Sequence, residues 1–339
     1  MVPLFCPRRL VFSGGGTRCL VFLSALRTLE RAGHLKNVAE WWGTSAGALV
    51  AALYAITGSV DVMSDMMRRT DFLKFRDVNV MNLMHLTSAW GMDDGFALVQ
   101  QLEALLESYK AGASQITFSE VPGLHIPVAD LNEYKTVVCS AETFPTLRVV
   151  DAIRASMSLP LFYRPFKSPV NGHIWVDGGL RAHFPWGCLP SDDARRDALG
   201  FTFEHSWMNG PRTFAEYMFS ILQFDEHKQV TDLKRAWPNI LWFSSPPFPA
   251  WFVRFQAADY ALLDRLGLDT VNAWFTQSLP RISECRPLCE DPRTPSPESH
   301  PRDTDGMLES RESHCPSQPQ GSSRDLSVQR SRSFRRWSV

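Results

Sequence analysis

The chain has 339 residues, 44% of them hydrophobic, which is enough apolar side chain for one large domain or two smaller ones. A formal net charge of −1 gives no reason to expect nucleic acid or a strongly charged substrate as a partner. Seven cysteines, an odd and scattered set, suit free thiols in a reducing compartment better than a disulfide framework.

Arg8 and Arg9 precede the first motif with no apolar h-region, so no signal peptide is expected and the location expected is cytoplasmic, with peripheral membrane association as the alternative. Leu10-Val11-Phe12 reads as a short buried strand, followed by the turn Ser13-Gly14-Gly15-Gly16. The spacing of Phe22, Leu23, Leu26 and Leu29 predicts a helix from about Cys19 to Ala32, capped by Gly33. The run before Gly43 predicts a second strand, and Ala46 to Ile56 a helix apolar nearly all round, ended by Gly58. The uncharged stretch from Trp41 to Val60 has the length of a membrane span. The sharp turn that its glycines imply favours a buried strand-turn-helix instead.

Further strands are expected at Leu124–Ala129, Thr136–Cys139, Ile174–Val176, Leu199–Phe203 and Ile240–Phe243. Helical patterns lie near Phe96–Ser108, Val150–Met157, Phe214–Trp237 and Phe255–Phe275. This alternation predicts an α/β fold, a mostly parallel central sheet flanked by helices. Composition changes at Glu284. The 56 residues from there to Val339 hold 7 Pro and 11 Ser but only 6 of Leu, Ile, Val and Phe. Such a segment cannot offset its ordering entropy by burial, so a folded domain over 1–283 (core about 10–280) and a disordered tail over 284–339 are expected. Arg330, Arg332, Arg335 and Arg336 give that tail a basic end, read first as a solvated segment and in the alternative as a site for an anionic surface or phosphorylation. Cys285 and Cys289 have no second pair at ligand spacing, so no metal is expected.

Ser45 sits between Gly43 and Gly47, after a strand and before a helix, which is the sequence form of a nucleophile elbow. A serine hydroxyl needs a base to attack. Asp177 follows the strand Ile174–Val176 and precedes Gly178 and Gly179, where a sheet of this kind places reactive side chains. The plain alternative for a D-G pair is an Asx turn. The turn Gly14-Gly15-Gly16 links a strand to a helix start, so its N–H groups suit an anion or a developing oxyanion. A dinucleotide-binding turn matches in part, but its third glycine is missing at Cys19.

The trio G-G-G-x-R at Gly14–Arg18, G-T-S-A-G at Gly43–Gly47 and D-G-G at Asp177–Gly179 resembles a patatin-like phospholipase domain. So does the stretch Ala155-Ser156-Met157-Ser158-Leu159-Pro160-Leu161-Phe162 before the third motif. The resemblance covers roughly residues 10 to 280. It implies a three-layer patatin-like fold and a lipid acyl hydrolase working through a Ser–Asp dyad without histidine. Ser45 would be the nucleophile and Asp177 the base. The N–H groups of Gly14, Gly15 and Gly16 would form the oxyanion hole, with Arg18 at its edge. No cofactor and no calcium are implied, and the partner is a lipid or membrane-surface substrate. Cys19 departs from the family pattern by replacing a glycine, a harmless change if that glycine serves packing and a strained one if it needs φ > 0.

A Ser–His–Asp triad is the enzymatic rival, because His183, His205 and His227 all follow Asp177. A catalytically weak or inactive lipid-binding pseudoenzyme, or a transacylase using the same acyl-enzyme, are the other readings. For a lipid surface, Trp251, Phe252 and Phe255 with Arg254 offer an interfacial aromatic patch. Met81, Leu83, Met84, Leu86 and Trp90 are candidates to line or cover a groove. Core packing is the plainer role of both sets.

Overall fold

A computed structural model describes residues 5–77, 86–204, 232–250 and 253–277. The tail expected over 284–339, with Cys285 and Cys289, lies outside these residues, as does most of the helix expected over Phe214–Trp237. Eight of the strands form one sheet. They are β1 (Arg9–Phe12), β2 (Glu40–Gly43), β4 (Leu124–Asp130), β5 (Lys135–Cys139), β7 (Phe166–Lys167), β8 (Ile174–Val176), β9 (Ala198–Glu204) and β10 (Ile240–Ser244). Strands β3 (Gly91–Asp93) and β6 (Leu161–Tyr163) pair separately.

Strands β10, β9, β1, β2 and β4 run parallel in that order. Their side chains alternate between two cores, as the period of a strand requires. Leu10, Phe12, Leu199, Phe201, Leu241 and Phe243 enter the larger core. Val11, Trp42, Ala198 and Ile240 face the smaller one, closed by Trp186, Leu189 and Ala194. The larger core takes the apolar faces of α1 (Val21–Arg31), α2 (Ala46–Thr57), α3 (Val60–Arg69), α4 (Phe96–Tyr109), α5 (Val149–Ser156) and α6 (Ala257–Gln277). Phe22 of α1 packs on Phe243 and Phe203 of the sheet, ring centroids 5.0 and 5.1 Å apart.

Trp41 to Val60 is a strand, a turn and the 12-residue α2, continuing into the first residue of α3. No helix among the described residues is long and apolar enough to cross a membrane. The helix predicted from Cys19 starts as a 3-10 turn over Gly16–Leu20 before α1. Helix α3 was not among the sequence-based elements, although its signals are present. Ser59 caps Val62 N–H, and Val60, Met63 and Met67 repeat at helical spacing.

The far side of the sheet departs from parallel order. Both β5 and β8 run antiparallel to β4, and β7 antiparallel to β8. Along β4, Gly123 carbonyl accepts from Trp41 N–H and Leu131 N–H donates to Ile174 carbonyl. Residues 123 and 131 have the same parity, so β2 and β8 share one edge of β4 while β5 takes the other. Strands β2 and β8 therefore approach each other end to end, their C-termini converging beside Pro127. A proline is tolerated in mid-strand there because the gap between β2 and β8 asks for no ladder N–H.

Candidate active site

The two converging strand ends carry Ser45 and Asp177. Asp177 sits just past the carboxyl end of β8, as its sequence context predicts, although β8 runs antiparallel to β4. It arrives from the opposite direction on β8, and β4 is long enough to bring it level with the end of β2. Ser45 Oγ donates to Asp177 Oδ2 at 2.9 Å across 132 positions of chain.

Ser45 precedes α2 with φ 54 and ψ −124, a backbone conformation that costs a non-glycine residue about 1–3 kcal/mol. The crossing around it is too tight for side chains. A Cβ on Gly47 would lie 2.4 Å from Ser13 carbonyl oxygen, and one on Gly43 would lie 2.2 Å from that of Gly47. The turn aims the hydroxyl out of the core, with the N-terminus of α2 directly behind it. Ser45 N–H donates to Ser156 Oγ at 2.9 Å.

Asp177 is buried, 6% exposed, and burial pushes its carboxyl up to about 7 against the opposing pull of Gly179 N–H and the Ser45 hydroxyl. At neutral pH such a carboxylate is poised between its two protonation states, as a general base requires. Its own amide is held by Ser158 carbonyl at 2.9 Å.

The glycine turn divides in its bonding. Gly14 N–H donates to His183 carbonyl at 2.9 Å and is not free for an oxyanion. The N–H groups of Gly15 and Gly16 have no hydrogen-bond partner among the described residues, and both glycines line the cavity in front of Ser45. Arg18 does not line that cavity, and its Nε donates to Phe248 carbonyl at 3.0 Å. Cys19 is buried in the 3-10 turn without positive φ, so its substitution for glycine is a matter of packing. Burial holds its thiol protonated.

The cavity encloses about 260 Å³ and is walled largely by apolar side chains, including Leu49, Met67, Phe72, Phe75, Met157 and Phe162. Phe72 and Phe75 come from a 3-10 turn that sequence reading passed over. Leu86 and Trp90, candidates for a groove with core packing as the plainer role, do not line the cavity, and Trp90 is exposed rather than core; Met81, Leu83 and Met84 lie outside the described residues. Phe255 is packed against Phe248 and Phe72 rather than presented to a surface. Arg254 is exposed, and Trp251 and Phe252 lie outside the described residues.

Of the three histidines considered, His183 lines the cavity between Gly14 and Gly179, and burial lowers its imidazole to about 4. His205 and His227 lie outside the described residues. Among the described residues no three His, Cys, Asp or Glu side chains come together as a metal site.

Comparison with known proteins gives a consistent picture. An uncharacterized protein of Acanthamoeba polyphaga mimivirus is 26% identical over 198 residues, 58% of this chain and 65% of its own. A probable lipid hydrolase of Invertebrate iridescent virus 6 is 24% identical over 188 residues, 52% of this chain and 61% of its own. The chain therefore spans less than two thirds of the length of these relatives. In three dimensions it is similar to VipD from Legionella pneumophila, with a TM-score of 0.53 at 14% identity, over 80% of this chain and 67% of that one. That likeness is one of fold. The profile of the family described as patatin-like phospholipase matches residues 10–188, which include all the glycine motifs and both Ser45 and Asp177. The chain belongs to the patatin-like phospholipase family.

Proposed function

We propose that the protein is a lipid acyl hydrolase that cleaves carboxylic esters through an acyl-Ser45 intermediate, with Asp177 as the base. The observation that carries this reading is the direct bond from Ser45 Oγ to a buried Asp177 carboxylate at the wall of an apolar cavity. The similarity to a probable lipid hydrolase supports the same substrate class.

In the first half-reaction Ser45 Oγ attacks the ester carbonyl while its proton passes to Asp177 Oδ2. The tetrahedral oxyanion faces the N–H groups of Gly15 and Gly16, aided by the positive end of α2. Collapse expels the alcohol, which takes the proton from Asp177 and leaves the acyl group on Ser45. Water then enters, gives its proton to Asp177 and attacks the acyl carbon. The fatty acid departs and the proton returns to Ser45 Oγ. Ionisation of Asp177 is costly in this buried site, which makes it an eager acceptor once ionised. The apolar wall formed by Phe72, Phe75 and their neighbours suits an acyl chain.

The test is a panel of phospholipids, lysophospholipids and acylglycerols offered to wild type and to Ser45→Ala, with free fatty acid and residual lipid both measured. Fatty acid release that vanishes in Ser45→Ala supports the reading. Release that persists in the variant, or an absence of release from every lipid by wild type, removes it.

A further inference from the structure

Beyond the two reacting side chains, we infer that Ser156 is a positioning residue whose hydroxyl holds the Ser45 backbone in its strained, attack-ready conformation. The inference rests on Ser45 being the nucleophile, as proposed above. Ser156 ends α5 and is fully buried. Its Oγ donates to Pro127 carbonyl at 2.7 Å and accepts from Ser45 N–H at 2.9 Å. A hydroxyl has one proton to give and lone pairs to receive, so both bonds form at once and each fixes the direction of the other.

The place of this hydroxyl in the sheet explains its importance. Strand β2 pairs with β4 only at Trp41 and Trp42, after which the chain turns out into the elbow. The Pro127 carbonyl on that edge thereby loses the strand N–H that a continuing ladder would supply, and Ser45 N–H loses a strand carbonyl. Ser156 bridges the two, replacing a direct rung with a hydroxyl-mediated one that is long enough to admit the turn. An unmet Pro127 carbonyl and an unmet Ser45 amide would each favour relaxation of a residue already at φ 54.

The same short segment reaches the other reacting group. Ser158 carbonyl accepts from Asp177 N–H at 2.9 Å, and Ser156 carbonyl accepts from Gly178 N–H at 3.3 Å. Residues 156–158 thus grip the backbone on both sides of the contact between Ser45 and Asp177. Their own anchor is the buried Arg154, which donates to Ser158 Oγ and, at 3.0 Å each, to the carbonyls of Asp94 and Arg164. A displacement of the segment shifts nucleophile and base relative to each other, whereas most of the cavity's apolar wall, Leu49, Met67, Phe72 and Phe75 among it, comes from other elements and only Met157 from this one. Loss of the Ser156 hydroxyl should therefore appear in kcat rather than in KM.

The experiment compares wild type, Ser156→Ala, Ser45→Ala and a control, Ser24→Ala, on the soluble ester p-nitrophenyl butyrate below every variant's melting temperature. Ser24 is a buried serine on α1 whose hydroxyl, among the described residues, bonds the backbone carbonyls of Val21 and Leu263, neither of which lines the cavity. For Ser156→Ala the expected result is a kcat lower by about 10- to 100-fold with KM within about twofold, the scale of a sub-ångström misalignment. Fluorophosphonate labelling of Ser45 should slow in parallel, while Ser24→Ala keeps wild-type kcat at a comparable loss of melting temperature. Should the alanine variant not fold, Ser156→Cys, close in volume and a far weaker donor, is judged by the same criteria. A kcat within about threefold of wild type, or an equal fall in Ser24→Ala, overturns the positioning role while leaving Ser45 as nucleophile. Turnover that survives in Ser45→Ala overturns both.

Discussion

The amide N–H of Gly14 donates to the carbonyl of His183 at 2.9 Å, tying the first glycine turn to the segment that follows Asp177. The bond uses the backbone of His183, and Ser45 already has Asp177 as its direct acceptor. The imidazole, lowered to about 4 by burial, is neutral near pH 7. His183→Gln should therefore keep steady-state kcat within about fivefold of wild type, well short of the 10²- to 10⁴-fold loss expected on removing a general base. A loss of about a hundredfold or more would instead assign the base to His183.

With Asp177 as the proposed base, its raised carboxyl predicts the pH dependence. Below about 7 the carboxyl is protonated and cannot accept the Ser45 proton. Ester turnover, as kcat/KM measured from pH 5 to 9, should fall about tenfold per unit on the acid side of a break near 7 and level off above it. A break near pH 4, the ordinary carboxylate range, would mean that burial does not tune this group.

The same shift has a consequence for stability. Asp177 binds its proton more tightly in the folded chain than in the unfolded one, so its contribution is fully present below the unfolded value near 3.8. It is lost as pH rises through about 7, where the fold must hold a buried anion. Asp177→Asn removes that burden and keeps an acceptor for Gly179 N–H. Its melting temperature should exceed that of wild type at pH 8 and approach it at pH 4.5. An equal difference at both pH values would contradict the linkage.

The close approach at the elbow is a packing claim. A Cβ on Gly47 would meet the carbonyl oxygens of Ser13 and Phe12 at 2.4 and 2.7 Å, backbone atoms that cannot swing aside. Gly47→Ala should cost at least about 2 kcal/mol in denaturant unfolding, because α2 must move off β1. At Gly187, where an added Cβ meets nothing within 4 Å, alanine should change stability by no more than about 0.5 kcal/mol.

Most strands of the main sheet and the motifs were legible in the sequence because alternation and glycine placement are local signals, whereas β3, β6 and β7, two or three residues each, are too short to show a pattern. Ser45 and Asp177 each stood out beside glycines that a tight turn or close crossing demands. The meeting of β2 and β8 on one edge of β4 was not legible, since strand direction depends on connections that hydrophobic patterning does not record. Gly14 and Arg18 illustrate the same limit. Their motif is plain, yet the bonds to His183 and Phe248 carbonyls come from segments about 170 and 230 positions away. Ser156 lay inside a quoted motif, but nothing in the spelling separates its hydroxyl from that of Ser158. Phe72 and Phe75 were missed because two aromatics in a short 3-10 turn leave no periodic trace.

The most direct test of the account is the rate at which a fluorophosphonate probe modifies the folded protein, read by intact mass and site mapping, in wild type and in Asp177→Asn. The account predicts a single adduct on Ser45 in wild type and a rate lower by about 10³-fold in Asp177→Asn, because the hydroxyl has lost its proton acceptor. Modification of Asp177→Asn at the wild-type rate, or an adduct on any residue other than Ser45, would contradict it.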